Sequence, residues 1–262
     1  MSDVELEIED PVGLIRLNRP ERLNAFTYDM LARIRDAVEA CASDPRVVGI
    51  VITGTGRGFS AGLDSGTLAA VTGESGARDT APSTALPGIF SYLLEVPKPI
   101  VAAVNGVAAG GGLILAMMSD LRIAAADASF TTVFLKRGLI AEHGSSWLLP
   151  RLVGVGRALD LLWASDRIDA ATAREYGLVE KVVPPEQLLE SARDYVRNLA
   201  TTSAPAAIAE TKRLVYRHLG LGYEAALREA EASQWRFVAS DDAREGARAL
   251  IEKRAPNFSR LG

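Results

Sequence analysis

Along residues 4–18 apolar side chains first alternate with acids, Asp10-Pro11-Val12-Gly13 supplies a turn, and Leu14-Ile15-Arg16-Leu17 resumes the extended pattern, which predicts an opening β-hairpin. Thr27 is placed to cap a helix running to about residue 42, with Met30, Leu31, Ile34, Val38 and Cys41 on one face. Residues 47–53 are almost continuously apolar, as in a strand covered on both faces. Periodicity then fades through a Gly/Ser/Thr/Ala-rich segment, 64–86, which suits a mobile loop used in substrate selection, followed by a short helix over 87–95. A strand at 100–104, a helix from Gly112, a strand at 121–125 and an extended piece at Ser129-Phe130 follow.

After Gly144 the pattern predicts a helix containing Trp147 and Leu148, a second opening at Gly156, and a third capped by Asp169 and ended by Gly177. Residues 178–183 read as a last strand, and helices are predicted over roughly 186–200, 205–219, 223–239 and 241–253. The class is therefore α/β. Residues 1–200 read as the core and 201–262 as a helical region that must cover its apolar faces on the core or on another copy.

Composition narrows the partners. The net charge of −4 is mild and Lys and Arg are scattered, so neither a nucleic-acid surface nor a polybasic membrane anchor is expected. Residues 100–118 are apolar enough to suggest a membrane span, but Asn105, Gly106 and the glycine triplet interrupt them, and a buried strand followed by a buried helix accounts for them better. The acidic start, Met1-Ser2-Asp3-Val4-Glu5, lacks the basic-then-apolar order of a secretory signal, so a cytoplasmic location is expected. A single cysteine, Cys41, reads as a small core residue, and His143 and His218 form no zinc-ligand cluster. Trp147, Trp163 and Trp235 read as core packing, and Asp120 as a structural cap or ion-pair partner.

Candidate chemistry lies in two glycine-flanked bends. Gly58-Phe59-Ser60-Ala61-Gly62-Leu63-Asp64 and Asn105-Gly106-Val107-Ala108-Ala109-Gly110-Gly111-Gly112 each aim a backbone N–H at one point, and the second leads into an apolar helix whose N-terminus adds partial positive charge. Such donors suit the enolate oxygen of a thioester. Gly54-Thr55-Gly56-Arg57-Gly58 has the spacing of neither a dinucleotide fingerprint nor a Walker loop and reads as a turn.

These bends, together with Asn18-Arg19-Pro20-Glu21-Arg22-Leu23-Asn24-Ala25 and Lys253-Arg254-Ala255-Pro256-Asn257-Phe258, stand in the order found in the crotonase (enoyl-CoA hydratase/isomerase) superfamily, which the chain resembles over nearly its full length. The resemblance implies a spiral of ββα units, a C-terminal helical region used in forming a homotrimer or a dimer of trimers, and an acyl-CoA thioester as ligand, with no cofactor beyond that CoA and no metal. It implies oxyanion donors at the Leu63 and Gly111 amides. Contacts to CoA are implied for Arg22, Ala25, Ala61, Leu63, Asp64, Lys253 and Phe258, with Gly66 standing where several relatives keep a lysine.

At the two places where hydratases carry carboxylates this chain has Ile114 and Phe134, which transfer no proton. Gly138-Leu139-Ile140-Ala141-Glu142 resembles the isomerase branch, with Glu142 at the position of its catalytic acid and Ile114, Phe134 and Leu139 lining the substrate pocket. One carboxylate suffices to move a double bond from the 3- to the 2-position. A hydratase, dehydratase or thioester hydrolase acting through Glu142 and an ordered water stays open, as does an acyl-CoA-binding protein without catalysis. The same residue also fits a surface acid ahead of a helix, favoured there by the dipole.

Overall fold

The computed structural model describes residues 2–67 and 88–261. Most of the Gly/Ser-rich segment read as a selection loop, and the start of the helix predicted at 87, lie outside the described residues. β1 (Val4–Glu9) and β2 (Val12–Leu17) form the expected antiparallel hairpin, Val4 facing Leu17 and Glu9 facing Val12. β3 (Gly49–Gly54), β5 (Ile100–Val104), β7 (Leu121–Ala125) and β10 (Lys181–Val183) then add in parallel, giving the order β1-β2-β3-β5-β7-β10. Every residue of β3 and β5 is buried, as their unbroken apolar runs require.

A second sheet, which the hydrophobic pattern did not disclose, has the order β4-β6-β8-β9. Its members are very short: β4 (Gly58–Ser60), β6 (Val107–Ala109), β8 (Ser129–Thr131) and β9 (Ile168–Asp169). Each of β4, β6 and β8 follows directly on a strand of the large sheet, so the chain climbs as a spiral in which successive strand pairs feed both sheets. The two glycine bends are the ends of β4 and β6, brought side by side by their parallel pairing.

α1 (Tyr28–Ser43) is capped by Thr27, whose Oγ1 accepts from Met30 N at 3.2 Å, and buries Met30, Ile34, Ala37, Val38 and Cys41. Its far end is closed from inside the core by Lys98, whose Nζ donates to Cys41 O and Asp44 O at 3.0 and 2.7 Å. α2 (Gly111–Met118) is buried at every position, consistent with a helix apolar all round. α3 (Ser145–Val153), α4 (Val155–Ala164) and α5 (Ala170–Tyr176) follow β8. α6 (Leu188–Thr202) lays Leu188, Ala192 and Val196 on the large sheet.

α7 (Pro205–His218), α8 (Tyr223–Val238) and α9 (Asp241–Glu252) bury little in this chain: only Pro205, Ser233 and Ala249 respectively. α7 is held by a buried polar latch. Lys212 Nζ donates to Asp120 Oδ2 at 2.7 Å and to Leu93 O and Lys98 O at 3.0 and 3.2 Å, while Tyr216 donates to the other Asp120 oxygen at 2.9 Å. Burial lowers the pKa of Lys212 against the pull of Asp120, and raises that of Tyr216. Asp120 is thus a structural partner, as its sequence position suggested.

The tryptophans correct the expectation drawn from their apolar surroundings. Trp163 and Trp235 are 65 % and 63 % exposed, and Trp147 is 36 % exposed under the guanidinium of Arg151, 4.0 Å above its ring. They occupy outward faces of α4, α8 and α3, where apolar sequence reflects a surface rather than the core. No helix among the described residues is long and apolar enough to cross a membrane.

Candidate active site

The first glycine bend is held by Asn24 and Ser60, both buried. Asn24 adopts φ +55, accepts from Arg19 N at 2.8 Å and donates to Thr55 O and Gly58 O at 3.0 and 2.8 Å. Ser60 Oγ donates to Asn24 O at 2.8 Å and accepts from Gly62 N at 3.2 Å. Beyond it Phe26 pairs with the bend as a parallel bridge to Leu63, its N donating to Gly62 O at 2.7 Å and its O accepting from Asp64 N at 2.9 Å. In that pattern the residue between the two bonded neighbours turns its own N–H to the opposite side. Leu63 is that residue.

The second bend meets the first at van der Waals distance. A Cβ on Gly62, which has φ +86, would stand 2.7 Å from Ala109 O and 2.8 Å from Gly111 N, and a Cβ on Gly112 would stand 2.1 Å from Ser60 O. Only glycine permits this approach. Gly111 opens α2, so its N–H belongs to the first turn, which lacks intrahelical acceptors, and it sits at the positive end of the helix dipole. The amides of Leu63 and Gly111 therefore open from adjoining pieces of backbone. Ile89 and Phe26 carbons lie 3.5 Å from the Cβ position of Gly111, and a Phe134 carbon lies 4.0 Å from that of Gly110, an apolar wall that strengthens donation to an anion.

Ile114 is fully enclosed in α2, and Phe134 is 5 % exposed. Leu139 is partly buried, its N donating to Phe134 O at 3.1 Å. It also lines an apolar cleft of about 650 Å³ with Leu135, Ile140, Leu159 and Trp163. Glu142 follows in a turn closed by Ser145 N donating to Glu142 O at 2.9 Å. That turn rests on the end of α2, where a Cβ on Gly144 would meet Met118 Cε at 2.9 Å, and Met118 shares a helix face with Ile114. The His143 backbone lies 3.7 Å from the Cβ position of Gly88, the neighbour of the Ile89 that touches Gly111. The Glu142 side chain is 34 % exposed, with His143 Nε2 3.8 Å away.

The residues expected on the CoA side divide. Arg22 is exposed at the end of a short 3-10 turn. Ala25 O accepts from Arg19 Nη1 at 2.6 Å, Arg19 Nη2 lies 3.6 Å from Asp64 Oδ2, and Ala61 N donates to Leu23 O at 2.9 Å. Arg19 thus ties Ala25 and Asp64 into one strip. Sequence reasoning gave a role neither to it nor to Asn24; the one signal was Asn-Arg-Pro followed by an Asn, a residue type that tolerates left-handed backbone. Lys253 and Phe258 keep to α9: Lys253 is its exposed cap, φ +54, and the Phe258 ring lies 3.6 Å from the Cβ position of Gly246. Cys41 offers no nucleophile, since burial pushes its thiol up to about 11.

The two-sheet spiral with its buried α2 is a fold of crotonase type. The sequence profile of the enoyl-CoA hydratase/isomerase family matches residues 7–260, and the chain belongs to that family. It is 34 % identical to the 1,2-epoxyphenylacetyl-CoA isomerase of Escherichia coli K12, over 96 % of each chain. It is 36 % identical to the crotonyl-CoA hydratase of Syntrophomonas wolfei, over 98 % of this chain and 97 % of that one. The solved enoyl-CoA hydratase of Mycobacterium tuberculosis superposes with a TM-score of 0.88 at 29 % identity, covering 98 % of both chains.

Proposed function

We propose that the protein is an enoyl-CoA isomerase that moves a double bond from the 3- to the 2-position of an acyl-CoA. Glu142 takes a proton from C2 of the 3-enoyl thioester; the released electron pair becomes the C1–C2 double bond of a dienolate whose negative oxygen accepts from the Leu63 and Gly111 amides. The same carboxyl returns the proton to C4, and the electrons settle as a C2–C3 double bond. No cofactor beyond the substrate's CoA is required. Arg22, Ala25, Ala61, Leu63 and Asp64 bind the CoA portion, and the acyl portion lies against Ile114, Phe134 and Leu139.

The observation that supports this reading is the packing of Gly62 on Gly111, with the Glu142 turn set against Gly88 and against Met118 of the helix that Gly111 opens, and Ile114 and Phe134 supplying no second acid. Replacing Glu142 with Gln is expected to lower isomerisation of 3-hexenoyl-CoA at least about 10³-fold while CoA binding, read by calorimetry, stays within about threefold. Wild-type turnover by that variant refutes the assignment. The crotonyl-CoA hydratase relative favours a second reading, hydration through Glu142 and an ordered water. A panel of 2-enoyl, 3-enoyl and hydroxyacyl thioesters separates the two, and tight binding without turnover marks a non-catalytic acyl-CoA-binding protein.

Assembly belongs to the same proposal. Residues 201–262 form an oligomerisation region of a cytoplasmic homotrimer or dimer of trimers, supported by Tyr223, Trp235, Leu250 and Ile251 being 83 %, 63 %, 81 % and 81 % exposed. Lys253 and Phe258 then complete the CoA site of a neighbouring copy. Sedimentation of wild-type protein at micromolar concentration as a monomer overturns this part.

A further inference from the structure

The turn that carries Glu142 also holds a buried polar group that none of the described residues engages. Ser145, the first residue of α3, is fully buried, and among the described residues its Oγ has no hydrogen-bond partner. A buried hydroxyl without a partner costs stability, because it has left water and regained nothing. An alanine at that place would fill nearly the same space without the loss.

The neighbours of this hydroxyl suggest its use. Between Glu142 and Ser145, His143 has φ +51 and Gly144 φ +82 with ψ 4, the backbone of a type I′ turn. Its ends lie within about 7 Å of one another at Cα, inside the combined reach of a glutamate and a serine side chain. His143 holds a left-handed conformation that costs a non-glycine residue energy, and such costs gather at functional sites. The Glu142 carboxylate is a third exposed and 3.8 Å from His143 Nε2, beyond hydrogen-bond distance. The turn thus begins at a partly exposed acceptor and ends at a buried hydroxyl that has no partner among the described residues.

We propose that Ser145 is a positioning residue for Glu142. Once an acyl thioester covers the carboxylate and excludes water, Glu142 turns inward, Ser145 Oγ donates to one of its oxygens, and the other faces the carbon whose proton moves. The serine proton stays on serine throughout. A hydroxyl both donates and accepts, so it remains bonded when Glu142 holds the C2 proton and again when the proton has passed to C4. This inference rests on the reading of Glu142 as the proton shuttle.

The test compares Ser145→Ala with Glu142→Gln in the full-length protein, using 3-hexenoyl-CoA and thermal unfolding. Ser145→Ala is expected to lower kcat about 10- to 100-fold with KM within about twofold, as a misplaced base does, while its Tm equals or exceeds that of the wild type. A wild-type kcat in Ser145→Ala alongside an inactive Glu142→Gln overturns the role of Ser145 and leaves Glu142 as the base. Loss of kcat together with a lower Tm assigns Ser145 to structure and also overturns the proposal. An active Glu142→Gln removes the reading beneath it.

Discussion

The glycine bends around α2 and the C-terminal helices α7–α9 are built by opposite means. Around α2 the backbone segments touch one another, and positions such as Gly62 and Gly112 have no room for a single methyl group. In α7–α9 the backbone is loosely engaged and side-chain charge does the joining: Lys212 with Asp120, and Glu210 with Arg213, Ser233 and Arg236. The first construction leaves the amides little room to move, as the proposed oxyanion site would need. The second holds helices whose apolar side chains are left open, as the proposed assembly would need. The two regions should therefore fail differently, the bends to added volume and the arms to lost charge.

Gly62→Ala is the most severe way to break that contrast. The methyl group would sit against Ala109 O and Gly111 N at a positive φ, and the displaced amides are expected to cost about 10²–10³ in kcat, or about 3–4 kcal/mol, in a steady-state assay. Next comes Lys212→Met, which leaves the partly buried Asp120 without its cation, its carboxylate bonded among the described residues only to Ile100 N and Tyr216. It should lower unfolding free energy by about 3–5 kcal/mol in urea titration, and hydrogen exchange should place the first opening in α7. If the bends open first instead, the two regions are not separable. Asn24→Ala, which removes the donor to the Thr55 carbonyl and leaves Gly58 O only Asn105 Nδ2 at 3.2 Å, is expected to cost about 1–2 kcal/mol in Tm-derived stability and to reduce activity through the first bend alone.

Acid offers a gentler separation. Hydrogen bonding and charge from Arg213, together with Ser233, hold the Glu210 carboxyl at about 2 against an ordinary 4.5. Because the folded value is the lower one, the stabilisation is complete above the ordinary value and is lost as pH falls from about 4.5 towards 2. Exchange protection in α7 and α8 should decline across that window while α2, which carries no acid, stays protected. The smallest effect is expected of Leu250→Ser. Its side chain is 81 % exposed, so a monomer's stability should move by no more than about 0.5 kcal/mol, whereas sedimentation should shift if that face joins copies.

The candidate site's backbone was more legible in the sequence than the side chains that brace it. The bends are legible because glycine-flanked backbone is a local property, whereas Leu63 and Gly111 as donors and Glu142 as the acid follow from the resemblance to the crotonase superfamily and its isomerase branch. Arg19 and Asn24 escaped, since their partners Asp64, Thr55 and Gly58 are distant in sequence and nothing local marks a side chain as bracing a remote loop. Ser145 escaped for the converse reason: that its hydroxyl has no partner among the described residues is visible only once the chain is folded.

By itself the sequence determined the hairpin, the capped α1, the buried parallel strands and the helical C-terminal region, because caps, turns and hydrophobic period act within a few residues. Tertiary structure alone decided that β4, β6 and β8 form a second sheet, since strands of three residues carry too little pattern to announce themselves. It also decided that Trp163 and Trp235 face outward, because an apolar residue's burial depends on which side of its helix the rest of the chain occupies. The meeting of Gly62 with Gly111 belongs to both: residue type allowed it, and the parallel pairing of β4 with β6 brought it about.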